Sequence, residues 1–413
     1  MPGLRAESAM PELDGMITLP PVDRSSLIAT RRDIHQYPEL GFEETRTAAL
    51  AADRLRNLGY QVTTGVGRTG VVAVRNGRRG GARCVLLRAD MDALPIEEAN
   101  AVPYRSQHPG KMHACGHDGH VAIGLEVARR LATLDLPGAV KFVFQPAEEA
   151  SNGAQAMIGD GVLEAPQVDA AFGIHLWNEL PVGTIAVTPG PFMASVDQFE
   201  VTIHGHGGHA AAPHQAIDPV LVTAHVITAL QSLISRRRDP FEEGVVSVTE
   251  VHAGRAFNVI PARADLRGTV RTFGGRFYEQ APQLIEETAQ GIAAAFGARA
   301  EVRYRRLSAP LVNDRQLSEL VRDVAADLVG KEKVREGVRT MGGEDMAYFL
   351  EKVPGCFAFV GSAANSGGAV SPHHSPTFDI DEESLVLGAE LLTLNVKHFP
   401  MLTGLGSAFR STS

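Results

Sequence analysis

Residues 141–174 read KFVFQPAEEASNGAQAMIGDGVLEAPQVDAAFGI, with a short apolar run at each end and a longer segment between them. We predict strands at Lys141–Phe144 and Ala170–Ile174 and a helix at Gly153–Leu163. A strand, a helix and a second strand in this order form a parallel pair joined by a crossover helix. This stretch therefore predicts a parallel β-sheet.

The same alternation extends toward the N-terminus. Strands are predicted at Gly70–Val74 and Cys84–Leu87, and a helix at Val121–Leu131. Two further helical stretches within Ser25–Leu58 meet at Tyr37–Gly41. Alternation of this kind indicates an α/β fold with a largely parallel sheet that is covered on both faces.

The middle of the chain follows a different order of elements. Two strand–helix–strand units are predicted there. The strands are expected at Phe199–His204, Val245–Val251, Ala262–Thr272 and Ala300–Arg305, and the helices at Ile217–Arg237 and Gln280–Phe296. The resulting βαββαβ order is that of a ferredoxin-like α+β domain.

The α/β pattern resumes after Pro310, with helices predicted at Gln316–Val329 and Glu382–Leu394 and a strand at Cys356–Val360. We therefore predict a catalytic domain of residues 1–193 and 307–413 and an inserted domain of residues 194–306. Two domains also suit a length of 413 residues, which exceeds what a single core usually supports.

Charge and cysteine content limit the possible partners and compartment. The net charge is -9 and the only basic block is the short Arg236–Arg238, so nucleic acid is not expected as a partner. Three scattered cysteines favour a reducing compartment. No apolar run reaches the roughly 20 residues that span a bilayer, and the first 20 residues lack a secretory signal. We expect a cytoplasmic protein without a membrane partner.

Ionisable residues are concentrated where the predicted strands of the large domain end, which is where open α/β sheets bind their ligands. Five places stand out, at Arg88–Asp92, His113–His120, Gln145–Glu149, Gly173–His175 and Pro372–Pro376. Convergence of these segments would bring cysteine, histidine and glutamate side chains to one sheet edge, where they could bind metal.

Cys115 and His117 flank one glycine, so a tight turn could direct a thiolate and an imidazole at one metal ion. The alternative is a buried cysteine beside a loop histidine without function. His113, Asp118 and His120 crowd the same eight residues, and carboxylates beside ligand imidazoles commonly orient them. This crowding favours the metal site.

Glu148 and Glu149 follow a predicted strand, and neighbouring side chains cannot point the same way. One carboxylate could therefore bind metal while the other transfers protons. The alternative is that both merely begin the next helix, where acidic residues suit the helix dipole. The residues themselves leave both interpretations open.

His175, His373 and His374 are ambiguous when each is considered alone. A single histidine at a strand end is more often packed or capping, and a histidine in a loop is usually solvated. Their convergence with Cys115 and Glu149 would change that interpretation.

The inserted domain contributes a glycine-rich and histidine-rich segment at Gly205–His214. It could be a flexible loop that binds metal adventitiously. Alternatively, its glycines could let His209 approach a ligand and donate a hydrogen bond to a developing oxyanion. Asn258 could supply an amide to the same ligand, or it could belong to a plain turn.

Taken together, these segments resemble the M20 metallopeptidases, in the branch of hippurate hydrolases, bacterial aminoacylases and plant auxin-conjugate hydrolases. The matching motifs are HQYPELGFEE, LLRADMDALPIEE, MHACGHDGH, FQPAEE, GIHLW, GHGGHAAAPH, FNVIPARADLRGTVRTF, MGGEDMAYFL and HHSPTFDIDEE. They run from His35 to Glu383, so the resemblance covers nearly the whole chain.

The resemblance implies a catalytic domain that binds two divalent metal ions and an inserted lid domain. It implies five metal ligands, namely Cys115, His117, Glu149, His175 and His374. Glu148 is then similar to the general base, Asp92 to the carboxylate that supports the ligands, and His209 and Asn258 to substrate-binding residues of the lid. His374 is preferred because it directly precedes Ser375, but the doublet with His373 leaves an ambiguity.

One position departs from the wider superfamily, where an H-x-D pair supplies a metal ligand. Asp90 occupies the histidine position here, so the resemblance transfers that role to His117. A thiolate with imidazoles suits zinc, nickel or cobalt, and the family leaves manganese possible.

The activity implied by the resemblance is hydrolysis of the amide bond of N-acyl amino acids to a carboxylic acid and an amino acid. The substrate would be a small molecule, and the lid would form a homodimer or homotetramer. A dipeptidase or carboxypeptidase with the same metals is the first alternative. A binding protein that has lost catalysis is the second, and the intact Glu148 argues against it.

Overall fold

The structure is a computed structural model that describes residues 19–77, 83–149, 153–363 and 370–399. An eight-stranded sheet lies at its centre, with the order β1-β2-β4-β3-β5-β16-β6-β15. Its strands are β1 Gln61–Val66, β2 Gly70–Arg75, β3 Cys84–Asp90, β4 Ala139–Gln145, β5 Ala170–Pro181, β6 Ile185–Ala186, β15 Val334–Arg335 and β16 Gly355–Ala363.

The four central strands, β4, β3, β5 and β16, are mutually parallel. Antiparallel pairs join β1 to β2, β2 to β4 and β16 to β6. The helices of this part of the chain are α1 Arg24–Gln36, α2 Thr45–Asn57, α3 His117–Ala132, α4 Gly153–Gly159, α7 Arg315–Val329, α8 Met346–Leu350 and α9 Glu383–His398. The predicted α/β fold with a mostly parallel sheet is confirmed.

Alternate residues of the central strands enter separate hydrophobic cores on the two faces of the sheet. Val85 and Leu87 of β3 join the core that also contains residues of α1, α2, α3, α7 and α9. Cys84 and Leu86 join the opposite core with residues of α4 and α8. Because alternate side chains point to opposite faces, both faces of the sheet are buried. Side chains that follow the ends of the strands are the ones that remain available for a functional site.

Residues 196–308 form a second, four-stranded antiparallel sheet with the order β10-β12-β8-β13. Its elements are β8 Val196–His204, α5 Pro219–Ser232, β10 Gly244–Ala253, β12 Arg263–Thr272, α6 Gly275–Ala295 and β13 Arg299–Ser308. Phe199, Val201 and Ile203 of β8 pack in a third core with residues of both helices. The βαββαβ order predicted from the sequence is confirmed.

Two small antiparallel sheets complete the pairing. One joins β7 Gly190–Met193 to β14 Leu311–Asn313, and the other joins β9 Gly208–His209 to β11 Val259–Ile260. Short helical turns lie at Pro213–Gln215, Leu233–Arg237 and Lys331–Lys333. The chain enters and leaves the four-stranded sheet at neighbouring points, because Val196 pairs with Ser308.

Several predicted boundaries were wrong. Strand β5 continues to Pro181 instead of ending at Ile174. Its pairing with β3 stops at Gly173, but its pairing with β16 continues to Pro181. Helix α3 begins at His117 instead of Val121, and α4 ends at Gly159 instead of Leu163. Strand β1 was not predicted, and most of its residues are exposed, which removes the apolar signal.

None of the helices within the described ranges is both long enough and apolar enough to cross a bilayer. The expectation that the first 20 residues contain no secretory signal concerns a segment of which residues 1–18 lie outside those ranges.

Candidate active site

The carboxyl ends of the central strands deliver ionisable side chains to one edge of the sheet. Strand β3 ends at Asp90, and β4 ends at Gln145, three residues before Glu148. His175 lies within β5, two positions after Gly173, the last residue of that strand to pair with β3. The local environment of His175 is therefore that of a strand end, although its own strand continues.

Cys115 and His117 are presented by a turn at the start of α3. Gly116 has a φ of +96°, in the left-handed region that glycine adopts without strain, and His117 is the first residue of the helix. The tight turn expected between the two side chains is therefore present.

The structure brings all five predicted ligands together. Ligand atoms of Cys115, His117 and His175 lie within 4.8 Å of one another, and so do those of Cys115, Glu149 and His374. The two groups share the sulfur of Cys115, which consequently lies between two possible cation positions.

Hydrogen bonds to backbone carbonyls fix the tautomers of two imidazoles. His117 Nδ1 is 2.9 Å from the carbonyl of Asp92, and His175 Nδ1 is 2.8 Å from the carbonyl of Leu176. A carbonyl only accepts, so each Nδ1 carries a hydrogen, and each Nε2 has a free lone pair when its ring is neutral. His175 Nε2 lies 3.5 Å from Cys115 Sγ.

Asp92 Oδ1, His117 Nε2 and Glu149 Oε1 are buried at this edge and form no hydrogen bond among the described residues, although each lies 3.3 to 3.4 Å from an ionisable neighbour. Buried polar atoms normally have a partner, so unpartnered acceptors of this kind suit a cation. The available donors are a thiol, imidazoles and a carboxylate, which are the ligands of zinc and related divalent ions. These residues fit a metal centre.

Electrostatics also favour a cation. Burial raises the pKa of Cys115 well above its usual value, with Glu149 adding to the effect, so the thiolate needs positive charge nearby. Burial acts against protonation of His117, but Asp90 and Cys115 outweigh it and raise its pKa well above the usual value. Binding a metal would therefore release protons from both groups.

The two histidines of the doublet have different surroundings. His374 Nε2 is 3.3 Å from Glu149 Oε1, and the residue has a φ of +64°. Its backbone N–H donates to the carbonyl of Ala114 at 2.8 Å, which ties this loop to the Cys115 turn. The ring of His373 is instead enclosed among other rings, and desolvation lowers its pKa to about 3. The geometry favours His374 as a ligand.

Asp92 contacts two of the predicted ligands. Its Oδ2 accepts the backbone N–H of Glu149 at 3.0 Å, and its Oδ1 is 3.3 Å from His117 Nδ1. The carboxylate thus fixes the segment that carries Glu149 and the ring of His117.

Glu148 lies beside the cluster in an acidic environment. Burial, followed by the charges of Glu344, Glu149 and Asp345, raises its pKa well above the usual value. The backbone N–H of Asp345 donates to Glu148 Oε1 at 3.4 Å. A carboxyl group with a raised pKa is suited to accept and return a proton.

Sequence reasoning singled out Arg88 and Asp90 but missed Glu344 and Asp345, which complete this acidic region. The buried guanidinium of Arg88 donates to Asp90 at 2.7 Å, Glu344 at 2.7 Å and Asp345 at 3.0 Å. Glu344 and Asp345 are in the motif MGGEDMAYFL, but their separation of over 250 residues from Arg88 gave no signal for the contact.

His120 was considered with the metal site, but both of its nitrogens are used elsewhere. Its Nε2 accepts the backbone N–H of Leu176 at 3.0 Å, and its Nδ1 donates to Asp90 at 2.5 Å. Its role is to join β3, α3 and β5 beneath the cluster.

His209 and Asn258 lie side by side in the inserted segment. His209 pairs with Val259 between β9 and β11, and the carbonyl of Asn258 accepts the N–H of Ala210 at 3.1 Å. Both residues are exposed. Within the described ranges, no hydrogen bond or ion pair joins either side chain to the five clustered residues.

Comparison with known proteins agrees with this arrangement. Residues 86–398 match the profile of peptidase family M20/M25/M40. The chain is 40% identical over 373 residues to an N-acetyl-L-cysteine deacetylase of Bacillus subtilis, covering 90% of this chain and 87% of that protein. It is 39% identical to thermostable carboxypeptidase 2 of Saccharolobus solfataricus, covering 88% of this chain and 92% of the relative.

A solved structure is also similar. The crystal structure of a Bacillus subtilis protein described as a dinuclear metal binding peptidase from the M20 family superposes with a TM-score of 0.80 at 36% identity. The match covers 92% of this chain and 99% of the other.

Proposed function

Because the chain belongs to peptidase family M20/M25/M40, we propose that this cluster of side chains is a two-metal amidohydrolase centre acting on N-acyl amino acids. The observation that carries the proposal is the sulfur of Cys115, shared by two groups of ligand atoms beside the buried Glu148. The chain is a hydrolase, as its family and its amidohydrolase relatives require.

In this proposal Cys115, His117, His175, Glu149 and His374 would hold the two ions. Two divalent ions would act as Lewis acids on the attacking water and on the scissile carbonyl. Zinc, nickel or cobalt suits a donor set of thiolate and imidazoles, and the family resemblance adds manganese as a further candidate. The proposal of two ions is supported by the relative described as dinuclear.

Glu148 is the proposed general base. It would take a proton from the attacking water and return it to the departing nitrogen, which converts an amide into a carboxylic acid and a free amine. Its raised pKa and its contact with the Asp345 backbone support this role. Asp92 would hold His117 and Glu149 in place during the reaction.

Residues 194–306 are proposed to act as a lid domain that moves over the site, and residues 1–193 and 307–413 as the catalytic domain. His209 would donate a hydrogen bond to the developing oxyanion, and Asn258 would bind the substrate. Their position together on a small exposed sheet supports a contact made when the lid closes.

We also propose a homodimer, or a homotetramer, assembled through the lid, and a cytoplasmic location. All three cysteines, Cys84, Cys115 and Cys356, are free, which supports a reducing compartment.

Mixing Glu148→Ala and His209→Ala chains tests whether His209 acts across the dimer. Hybrid dimers regain one intact site only if His209 of one chain serves the metal centre of its partner.

The first experiment is a substrate panel with metal-loaded protein, comprising hippurate, N-acetyl amino acids, N-blocked dipeptides and free dipeptides. We expect the highest kcat/KM on N-acyl amino acids. The matched control is Glu148→Gln, which keeps the shape of the side chain and should retain metal while losing about 100- to 10,000-fold in turnover.

A carboxypeptidase is the second candidate, because a relative with that name is 39% identical. Higher kcat/KM on N-blocked dipeptides would favour it over the N-acyl amino acid hydrolase. Turnover by the parent at background level, and no higher than that of Glu148→Gln on the whole panel, would contradict both enzymes and favour a binding protein.

A further inference from the structure

His373 is held in one orientation by packing on several sides. Its ring centroid lies 4.7 Å from that of Trp177, 5.0 Å from that of Phe378 and 5.3 Å from that of His175. The ring therefore cannot turn freely, and its two nitrogens face defined neighbours.

One nitrogen of this ring is an acceptor. The backbone N–H of Asn178 donates to His373 Nε2 at 3.2 Å, so Nε2 carries a lone pair and no hydrogen. An imidazole with an unprotonated Nε2 must carry its hydrogen on Nδ1. The tautomer of His373 thus follows from a backbone group that can only donate.

The other nitrogen faces the metal cluster. His373 Nδ1 lies 3.7 Å from Cys115 Sγ, a distance typical of a hydrogen bond to sulfur. His175 contacts the same sulfur through Nε2, the atom that keeps a lone pair. The two histidines consequently approach one sulfur with opposite capabilities, since one offers a hydrogen and the other a metal-binding lone pair.

Asn178 anchors the loop that carries His373. Its side-chain amide donates to the carbonyls of Ser371 at 3.1 Å and Asp379 at 2.8 Å, and its Oδ1 accepts from Ser362 at 2.6 Å. Residues on both sides of His373 are therefore tied to β5 and β16, which keeps Nδ1 directed at the sulfur.

We infer that His373 is a positioning residue that donates a hydrogen bond from Nδ1 to the thiolate of Cys115, while its neighbour His374 binds metal. The inference rests on the metal centre proposed above. The N–H group stabilises the negative charge on the sulfur and fixes its position, and groups behind metal ligands typically change metal affinity about 10- to 100-fold when they are removed.

Two variants separate the hydrogen bond from the packing of the ring. His373→Phe keeps an aromatic ring against Trp177 and Phe378 but has no donor. His373→Asn places an amide nitrogen the same number of bonds from the backbone as Nδ1 and removes the ring. Circular dichroism and thermal unfolding of both variants check that the chain still folds.

The test uses full-length protein loaded with Co²⁺, whose thiolate-to-cobalt charge-transfer band reports on the sulfur. Loss of this band in Cys115→Ser assigns it to Cys115. In His373→Phe we expect the band to move to longer wavelength, because the sulfur lone pairs rise in energy, and the Co²⁺ dissociation constant to increase about 10- to 100-fold. His373→Asn should keep both values near those of the parent.

The outcomes distinguish the inference from the function on which it rests. An unshifted band in His373→Phe, with a shifted band in His373→Asn, would make His373 a packing residue and overturn the inference. Loss of one Co²⁺ per chain in both variants would make it a ligand, which overturns the inference as well. If the parent itself shows no thiolate band, the metal centre is wrong and the role of His373 falls with it.

Discussion

Asp92→Ala tests how the proposed metal ligands are held in place. The substitution removes the acceptor for the N–H of Glu149 at 3.0 Å and the oxygen 3.3 Å from His117 Nδ1. It leaves the backbone carbonyl that fixes the His117 tautomer at 2.9 Å. The segment that carries Glu149 therefore loses its hydrogen bond to Asp92, whereas the ring of His117 keeps one of its two contacts. We expect metal affinity to fall by about 10- to 100-fold, which corresponds to about 1.4 to 2.7 kcal/mol.

The assay is competition between the protein and a chromophoric chelator, followed by elemental analysis at saturating metal. Asp92→Asn is the matched control, because its amide oxygen can still accept from Glu149 while its NH₂ group opposes His117 Nδ1–H. Its affinity should lie between those of the parent and Asp92→Ala. If Asp92→Ala binds metal as tightly as the parent and loses only turnover, the carboxylate takes part in proton transfer and our explanation is wrong.

Three further predictions concern other parts of the molecule. Cys115→Ser should reduce the metal content per chain in elemental analysis, since a hydroxyl replaces a thiolate poorly, and unchanged stoichiometry would make Cys115 a packed residue. His209→Ala should lower kcat about 100- to 1,000-fold with bound metal unchanged, whereas a raised KM alone would indicate a substrate contact. Burial raises the pKa of Asp197 from its usual 3.8 to about 6, so the folded state binds the proton more tightly and stability falls as pH rises from about 4 to about 6. Asp197→Asn removes this loss of stability. In urea unfolding, the free energy of unfolding of the variant should therefore gain about 1 to 2 kcal/mol relative to the parent as the pH rises above 6, after allowance for partial solvation. A difference that stays constant across pH would contradict the titration.

Local sequence was sufficient to predict the structure wherever one short segment determines the geometry. The order of strands and helices predicted both sheets, and Gly116 between Cys115 and His117 predicted the turn that presents them. The family predicted from the motifs is also confirmed. The five predicted ligands converge because parallel strands end at the same edge of the sheet.

Contacts between distant segments could not be predicted. Arg88 meets Glu344 and Asp345 only after the chain has passed through the entire inserted segment. The extension of β5 past His175 depends on pairing with β16, which is also remote in sequence. The histidine doublet shows the same limit, since the contacts that distinguish His373 from His374 include the backbone N–H of the distant Asn178.

The points where the chain leaves and re-enters the large sheet have a consequence for how such proteins diversify. Val196 pairs with Ser308, and Met193 pairs with Leu311, so the ends of the inserted segment are about one strand spacing apart, roughly 5 Å. A few residues can close that gap, and segments with adjacent ends are readily exchanged between genes. A change in the length of the segment with His209 and Asn258 therefore need not move the strand ends beside the Cys115 turn.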